Sequence, residues 1–376
     1  MGFTSRLVAS MKDIDRKVWP DHRVAISSEI AKILEQKNLI VADVGSADGP
    51  EAIWLSLKQL TRFLTFEPNP RDQPPDESIR ATNFPIGLWS KKGEKTLYLT
   101  GHPDSSSLLP INTALFSDFL SKDGMEMVGT TTIEVDTLDG LLLQKPEFWP
   151  DFVKIDVEGG DLEVLKGGRQ LLAQSVLGLR VETAFLELHL GAPLLWEVDS
   201  FLREQGFVLF HLGRNHWIRN NGLHGLTSEP QVIWGDAVYF LTLDHFIKRL
   251  SKCKDAERHA ILAKFIVVLV RHGVHDYSWD VIQAAEASKF VTTEFAGKLR
   301  ALVRASMDTG LWYLVKGFLG MVFAFGVLLV SFPFGEPRKR AVFYVKQRVG
   351  RFCYDLWRRM ALGGRARHAC LTDPFV

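Results

Sequence analysis

Two carboxylates set two residues apart at the end of an apolar run are the part of this sequence best suited to chemistry. In "DFVKIDVEGGDLEVLKGGRQLL", residues 151–172, Phe152 to Val157 reads as a short strand carrying Asp156 and then Glu158 at its end. A Gly159-Gly160 turn and a helix follow. Alternate strand residues share a face, so this spacing aims both carboxyl groups to one side. In open α/β sheets, ligands gather beyond the carboxyl ends of the strands. One carboxylate there can accept a proton from a weak nucleophile while the other orients it. The structural alternative is that Asp156 anchors a ligand and Glu158 caps the turn. His189 and His211, beyond the next two strands, are alternative bases that titrate near neutrality, and each has a packing role as its plainer reading.

A second signature precedes this one. The apolar run Leu39–Val44 leads into Gly45-Ser46-Ala47-Asp48-Gly49, and Pro50 suits the first position of a helix. Glycines at such a turn permit close approach of backbone to a ligand. The next strand, "RFLTFEPNP", ends on Glu67, where a carboxylate is expected to accept from the two hydroxyls of an adenosine ribose. Together the turn and Glu67 point to an adenosine cofactor. A nicotinamide dehydrogenase needs GxGxxG after the first strand, which Gly45 to Gly49 does not supply. No His/Asp/Glu spacing matches a robust metal site, which leaves a divalent ion open but without support.

These residues need a scaffold of alternating strands and helices. A third strand falls within "SIRATNFPIGLWS", and residues 91–135 switch to short β-like runs around the polar "GHPDSSSLLP", an insertion placed for substrate selection. A helix capped at Thr137 leads to the opening stretch. A fifth strand, Gly178–Thr183, carries Glu182 at its end; a helix stopped by Gly206 and a sixth strand, Phe207–Leu212, follow. "DAVYFLTL" supplies a seventh strand. The link 213–235, with Arg214, His216, Trp217 and Trp234, reads as a lid or substrate loop. The spacing predicts a doubly wound, mostly parallel sheet with helices on both faces. Residues 1–38 read as a helical lead-in broken at Pro20, with Ile26, Ile30, Ile33 and Leu34 as its buried stripe.

Composition places outer limits on function. The 376 residues carry a net charge of +1, which argues against a surface dedicated to nucleic acid. Cys253, Cys353 and Cys370 are too scattered for a disulfide framework or a zinc site, and a reducing cytosol is the simpler setting. Residues 244–376 read as an α-helical region. Within it, 317–335 is nineteen residues without a charge, at the threshold for spanning a bilayer. Ten Lys or Arg against three acids follow from Glu336 to the end. The segment can lie on the inner face of a membrane with its basic tail on anionic lipid, pack as a buried or dimer-forming helix, or span. A single span conflicts with a cytosolic tail and a cytosolic catalytic domain together.

The succession "VADVGSADG", "TFEPNP", "TTTIEVDTLDG", "DFVKIDVEGGDLEVLKGG" and "VETAF" closely resembles the FkbM-type S-adenosylmethionine-dependent methyltransferases, over 39–243. The resemblance implies a Rossmann-like class I methyltransferase fold with seven strands, the last antiparallel, and an O-methyltransferase acting on sugar or natural-product hydroxyls. It implies that Asp43, Gly45 and Gly49 cradle the methionine part of S-adenosyl-L-methionine. Glu67 then takes the ribose, Ile86 and Gly87 the adenine, and Asp156 and Glu158 face the sulfonium and acceptor. Ser46-Ala47-Asp48 and Asp161 depart slightly from the family pattern without removing a carboxylate or key glycine. A module that keeps the fold and has lost the chemistry is the rival expectation.

Overall fold

The computed structural model describes residues 24–46, 49–68, 78–102, 105–119, 125–220 and 231–307. The expectations for Pro20, Ala47, Asp48, the apolar segment 317–335, the basic tail, Cys353 and Cys370 lie outside them.

Strand β1 (Leu39–Val44) is buried at every position, the pattern of a parallel strand covered on both faces. It pairs in parallel with β2 (Thr61–Phe66) on one side and β7 (Phe152–Ile155) on the other. Outward from β2 lies β3 (Ala81–Phe84), and from β7 lies β8 (Gly178–Ala184), again parallel. Beyond β8 come β10 (Gln231–Leu241), antiparallel, and β9 (Phe207–Trp217) at the edge. The seven-stranded order is therefore β3-β2-β1-β7-β8-β10-β9, with the last strand in sequence reversed and inserted beside β8. This is the arrangement expected from the resemblance. A separate three-stranded sheet is built by β4 (Gly87–Leu88), β5 (Gly93–Thr100) and β6 (Met127–Asp136), the insertion read from the sequence.

Helix α1 (Ser28–Gln36) is capped by the Ser27 hydroxyl, which accepts from Ile30 N–H, and buries Ile30 and Leu34. The helix expected from Pro50 is instead a short 3₁₀ turn, Ala52–Leu57, closed by i→i+3 bonds such as Trp54 N–H to Glu51 O at 3.1 Å. Short helices α2 (Thr113–Ser117) and α3 (Leu138–Leu142, capped by Thr137) precede β7. After it come α4 (Asp161–Gly167), α5 (Arg169–Gln174) and, after β8, α6 (Leu195–Glu204).

Among the described residues, four more helices follow the last strand: α7 (Leu243–Ser251), α8 (Asp255–Arg271), α9 (His275–Ala287) and α10 (Thr293–Met307). They do not form a separate body. The compact unit that contains them spans 22–223 and 229–306. Helix α8 is apolar nearly all round and buried from Leu262 to Arg271 apart from Lys264. Lys264 meets the buried Asp151 at 2.8 Å, and that carboxylate also accepts from Ile40 N–H at 2.8 Å. On the same helix, Arg271 donates to Ile53 O. From α7, Arg249 donates to Val176 O and Leu172 O at 2.8 and 2.9 Å. Among the described residues, no helix is long and apolar enough to cross a membrane.

Candidate active site

Register brings the carboxyl ends of β3, β2, β1, β7 and β8 into one edge. Val44 lies level with Phe66 and Ile155, and Ile155 with Val181, so Gly45, Glu67, Asp156 and Glu182 follow side by side. Backbone bonds continue the alignment past the strands: Gly45 N–H donates to Phe66 O at 2.9 Å and Glu67 N–H to Phe84 O at 3.2 Å. Phe66 stacks on Phe84, centroids 4.8 Å apart, and so fixes the spacing between Glu67 and the Ile86 turn.

The glycine turn rests on a buried ion cluster. Lys154 on β7 lies 3.3 Å from both Asp43 and Asp156 and donates to Gly45 O at 3.1 Å. Burial would push its ammonium down, but Asp156 and Asp43 outweigh burial and hold it above its ordinary value. Asp43 is 2% exposed, and burial raises its carboxyl against the opposing pull of Lys154. Its other oxygen accepts from Glu51 N–H at 3.1 Å. Asp43 is thus committed to Lys154 and the backbone of the turn, so it shapes the cradle from beneath.

Gly45 has φ +77°, and a Cβ there would stand 1.9 Å from Asp156 O. Only glycine lets β1 and β7 close on each other at this level. Gly49 has φ +82°, and among the described residues nothing lies within 4 Å of a Cβ position there. The turn therefore offers backbone to a ligand on its open side, beside a half-buried Glu67. These residues fit an adenosine cofactor.

Asp156 and Glu158 do converge, but not by the route expected. The strand ends at Ile155 and does not continue to Val157, because Val157 N–H turns to Asp161 Oδ1 at 3.3 Å. Glu158 then takes a left-handed backbone, φ +56°. For a non-glycine residue that conformation costs about 1–2 kcal/mol and marks an over-determined site. Two contacts hold it: Ser107 donates to Glu158 O at 2.6 Å, and Asp161 Oδ2 accepts from Gly159 N–H at 3.1 Å. The turn is capped by Asp161, not by Glu158. The serine run of the insertion expected to select substrate supplies the buried Ser107 brace.

Glu182 joins them from β8. Carboxylate oxygens of Asp156, Glu158 and Glu182 all lie within 4.8 Å of one another. Burial, then the charge of Asp156, raises Glu158 well above the usual carboxylate range. Burial, then Asp156, Glu158, Asp161 and Asp236, does the same for Glu182. Arg180, two residues before Glu182, is committed to Asp236 at 3.0 Å and to Glu51. Asp161 is raised to about 7 by burial and then by Asp156. Adjacent strand pairing, not sequence spacing, brings Glu182 to the pair; its position at the end of the next strand was the available signal. Lys154 was legible only as one polar residue in an apolar strand.

His189 lies behind the trio, 2% exposed, with burial lowering its imidazole to about 4. It lines a cavity of about 20 Å³ together with Glu158, Asp161, Glu182, Thr183 and Trp234. That volume admits about one water, so an acceptor must approach from the open side of the carboxylates. His211, by contrast, sits exposed on edge strand β9 opposite Val238, outside this lining. Ile86 forms the turn after β3, while Gly87 belongs to β4 and packs against Ile133 and Val135. Arg214, His216, Trp217 and Trp234 do not lie on a lid: β9 runs on to Trp217 and β10 starts at Gln231, so all four are hairpin residues.

A mostly parallel seven-stranded sheet with a reversed final strand, a left-handed glycine turn after β1 and acids at the ends of β2, β7 and β8 define a class I methyltransferase fold. Residues 43–209 match the methyltransferase FkbM domain. No curated protein matches it. Among solved structures, the chain is similar to a methyltransferase FkbM from Methylobacillus flagellatus KT, with 15% identity and a TM-score of 0.30. That match covers 54% of this chain and 43% of the other, less than half its length. It is also similar to magnesium protoporphyrin IX methyltransferase from Synechocystis PCC 6803 with bound SAM, with 11% identity, 64% and 85% coverage and a TM-score of 0.29.

Proposed function

We propose that this protein transfers a methyl group from S-adenosyl-L-methionine to a hydroxyl of a sugar, glycan or glycolipid. The observation that carries the reading is the carboxylate trio Asp156, Glu158 and Glu182, one strand along from the Gly45–Gly49 turn. The cofactor supplies a methyl group on a sulfonium, already an excellent leaving group, so alignment accounts for most of the acceleration. The open side of the glycine turn would hold its amino-acid part, Glu67 its ribose, and the Ile86–Gly87 segment its adenine. Asp43 and Lys154 keep the turn in place.

A hydroxyl is a weak nucleophile until its proton is accepted. Carboxylates with raised proton affinity suit that task, worth about 100-fold or more. Three acceptor groups within 4.8 Å also match the adjacent hydroxyls of a saccharide, which donate in a fan. A natural-product hydroxyl would use the same base. Association of residues 317–376 with an anionic membrane is a companion proposal, compatible with a glycolipid acceptor; full recovery in the soluble fraction at low salt without detergent would remove it.

The test is calorimetric titration of the full chain with S-adenosylhomocysteine, followed by transfer of labelled methyl to a panel of saccharides. Expected are saturable binding and a labelled ether product, with Asp156→Asn reducing transfer by about 100-fold while leaving product binding measurable. No heat with S-adenosylhomocysteine would overturn the proposal in favour of a non-catalytic module. Unchanged transfer by D156N would remove Asp156 from the chemistry.

A further inference from the structure

We propose that Asp156, Glu158 and Glu182 hold a divalent cation of the hard, oxygen-seeking kind: Mg²⁺, Mn²⁺ or Ca²⁺. The inference stands on the trio and His189 and does not depend on the methyl-transfer reading.

The spacing is the first support. Ligand oxygens around one octahedral Mg²⁺ or Mn²⁺ are separated by about 3 to 4 Å, and around Ca²⁺ by up to about 5 Å. The three carboxylates all lie within 4.8 Å of one another, inside the Ca²⁺ limit and within a small side-chain adjustment of the smaller ions. They come from three different backbone settings: the end of β7, a left-handed turn residue and β8. A strained Glu158, braced by Ser107 and Asp161, is an expensive way to place a carboxylate unless its position matters.

Charge is the second. Lys154 contacts Asp156 at 3.3 Å but is shared with Asp43. Arg180, the other nearby cation, is committed to Asp236 and Glu51. Such a set calls for a cation.

The independent observation is His189. Its Nε2 is buried and has no hydrogen-bond partner among the described residues, in a side chain 2% exposed. A buried polar nitrogen left in that condition has given up water and gained nothing in return. His189 shares its cavity with Glu158 and Glu182, and the cavity is about 20 Å³, room for about one water. A water on a cation held by the trio would give Nε2 its partner. His189 lies outside the trio itself, so it acts on the ion through that water. Carboxylate donors favour Mg²⁺, Mn²⁺ and Ca²⁺ over softer ions.

The experiment uses the full chain, stripped with chelator and titrated with Mn²⁺ while free Mn²⁺ is followed by electron paramagnetic resonance. One saturable Mn²⁺ per chain, displaced by Mg²⁺ or Ca²⁺, is expected. Glu182→Gln and Glu158→Gln should each weaken it by at least about tenfold, and His189→Gln by about tenfold through the bound water. Mn²⁺ should raise the unfolding temperature of the wild type but not of E182Q. Asp255→Asn, on an exposed carboxylate of α8, should change nothing. The proposal is overturned if the wild type shows no saturable Mn²⁺, if cooperatively folded E182Q and E158Q both bind as the wild type does, or if D255N weakens binding as much as they do.

Discussion

Replacing Lys154 by Met isolates the ion cluster under the glycine turn. The wild-type ammonium serves Asp43, Asp156 and Gly45 O at 3.3, 3.3 and 3.1 Å, with its side chain 12% exposed. Methionine fills similar space without charge. Asp156, at 36% side-chain exposure, can recover water, so the penalty falls on Asp43, whose side chain is 3% exposed. Removing one partner of a buried pair costs about 3–5 kcal/mol, and the solvent access of Asp156 puts the expectation near the lower end, about 3 kcal/mol at pH 8. The sign with pH follows. Burial already raises Asp43, and without Lys154 it must rise further, so folded K154M takes up a proton that the unfolded chain releases. Its deficit should shrink as pH falls toward 5. Adding Asp43→Asn should restore at least about 1 kcal/mol at pH 8, because the orphaned charge is gone. Urea unfolding followed by tryptophan fluorescence at pH 5 and 8 reads all three chains. A K154M deficit below about 1 kcal/mol, or strict additivity in the double variant, would refute the reasoning. S-adenosylhomocysteine titration of K154M should show weaker binding, since Gly45 has lost its anchor.

Gly45→Ala should abolish stable folding or cost more than about 3 kcal/mol, since its Cβ would sit 1.9 Å from Asp156 O, whereas Gly49→Ala meets no atom of the described residues and should cost only about 1 kcal/mol of left-handed strain; thermal unfolding compares them. Glu182→Gln in metal-free buffer should stabilise the protein by about 1–2 kcal/mol at pH 8 and not at pH 4, because two like charges within 4.8 Å each contribute about 1 kcal/mol in a water-like surrounding. The sign is set by its raised carboxyl: the folded state holds a proton the unfolded chain has lost above about 4.5, so wild-type stability falls as pH rises through that window. Asp151→Ala should destabilise by about 3–5 kcal/mol in urea, leaving Lys264 and Ile40 N–H without their shared acceptor.

The central strands were readable because buried parallel strands are written as unbroken apolar runs, and β1 is one. Carboxyl-end acids were readable for the same reason: Glu67, Asp156 and Glu158 interrupt or follow such runs. What escaped depended on neighbours in space. Lys154 looks like a flaw in an apolar strand until Asp43 stands beside it in register. Glu182 meets Asp156 through β7–β8 pairing, which no spacing in the chain encodes. Where the lid was expected, the described residues 213–217 and 231–235 belong to the paired strands β9 and β10, whose alternation is blurred by shifts of register between Val232 and Trp234 and between Val238 and Tyr239. Val157 left its strand because a side chain four residues on, Asp161, took its N–H.

Helix α8 carries a practical lesson about where this protein begins and ends as a folding unit. The FkbM match stops at residue 209, before the reversed strand β10 and all four later helices. Yet Phe265, Ile266 and Val267 are fully buried, and Lys264 neutralises Asp151 at the foot of the central strands. A gene trimmed to the recognisable family segment would lose the start of β1, nearly all of β9 and the whole of β10, and would bare one face of the sheet. For anyone expressing, splicing or recombining this enzyme fold, the heritable module and the foldable module are different lengths of chain.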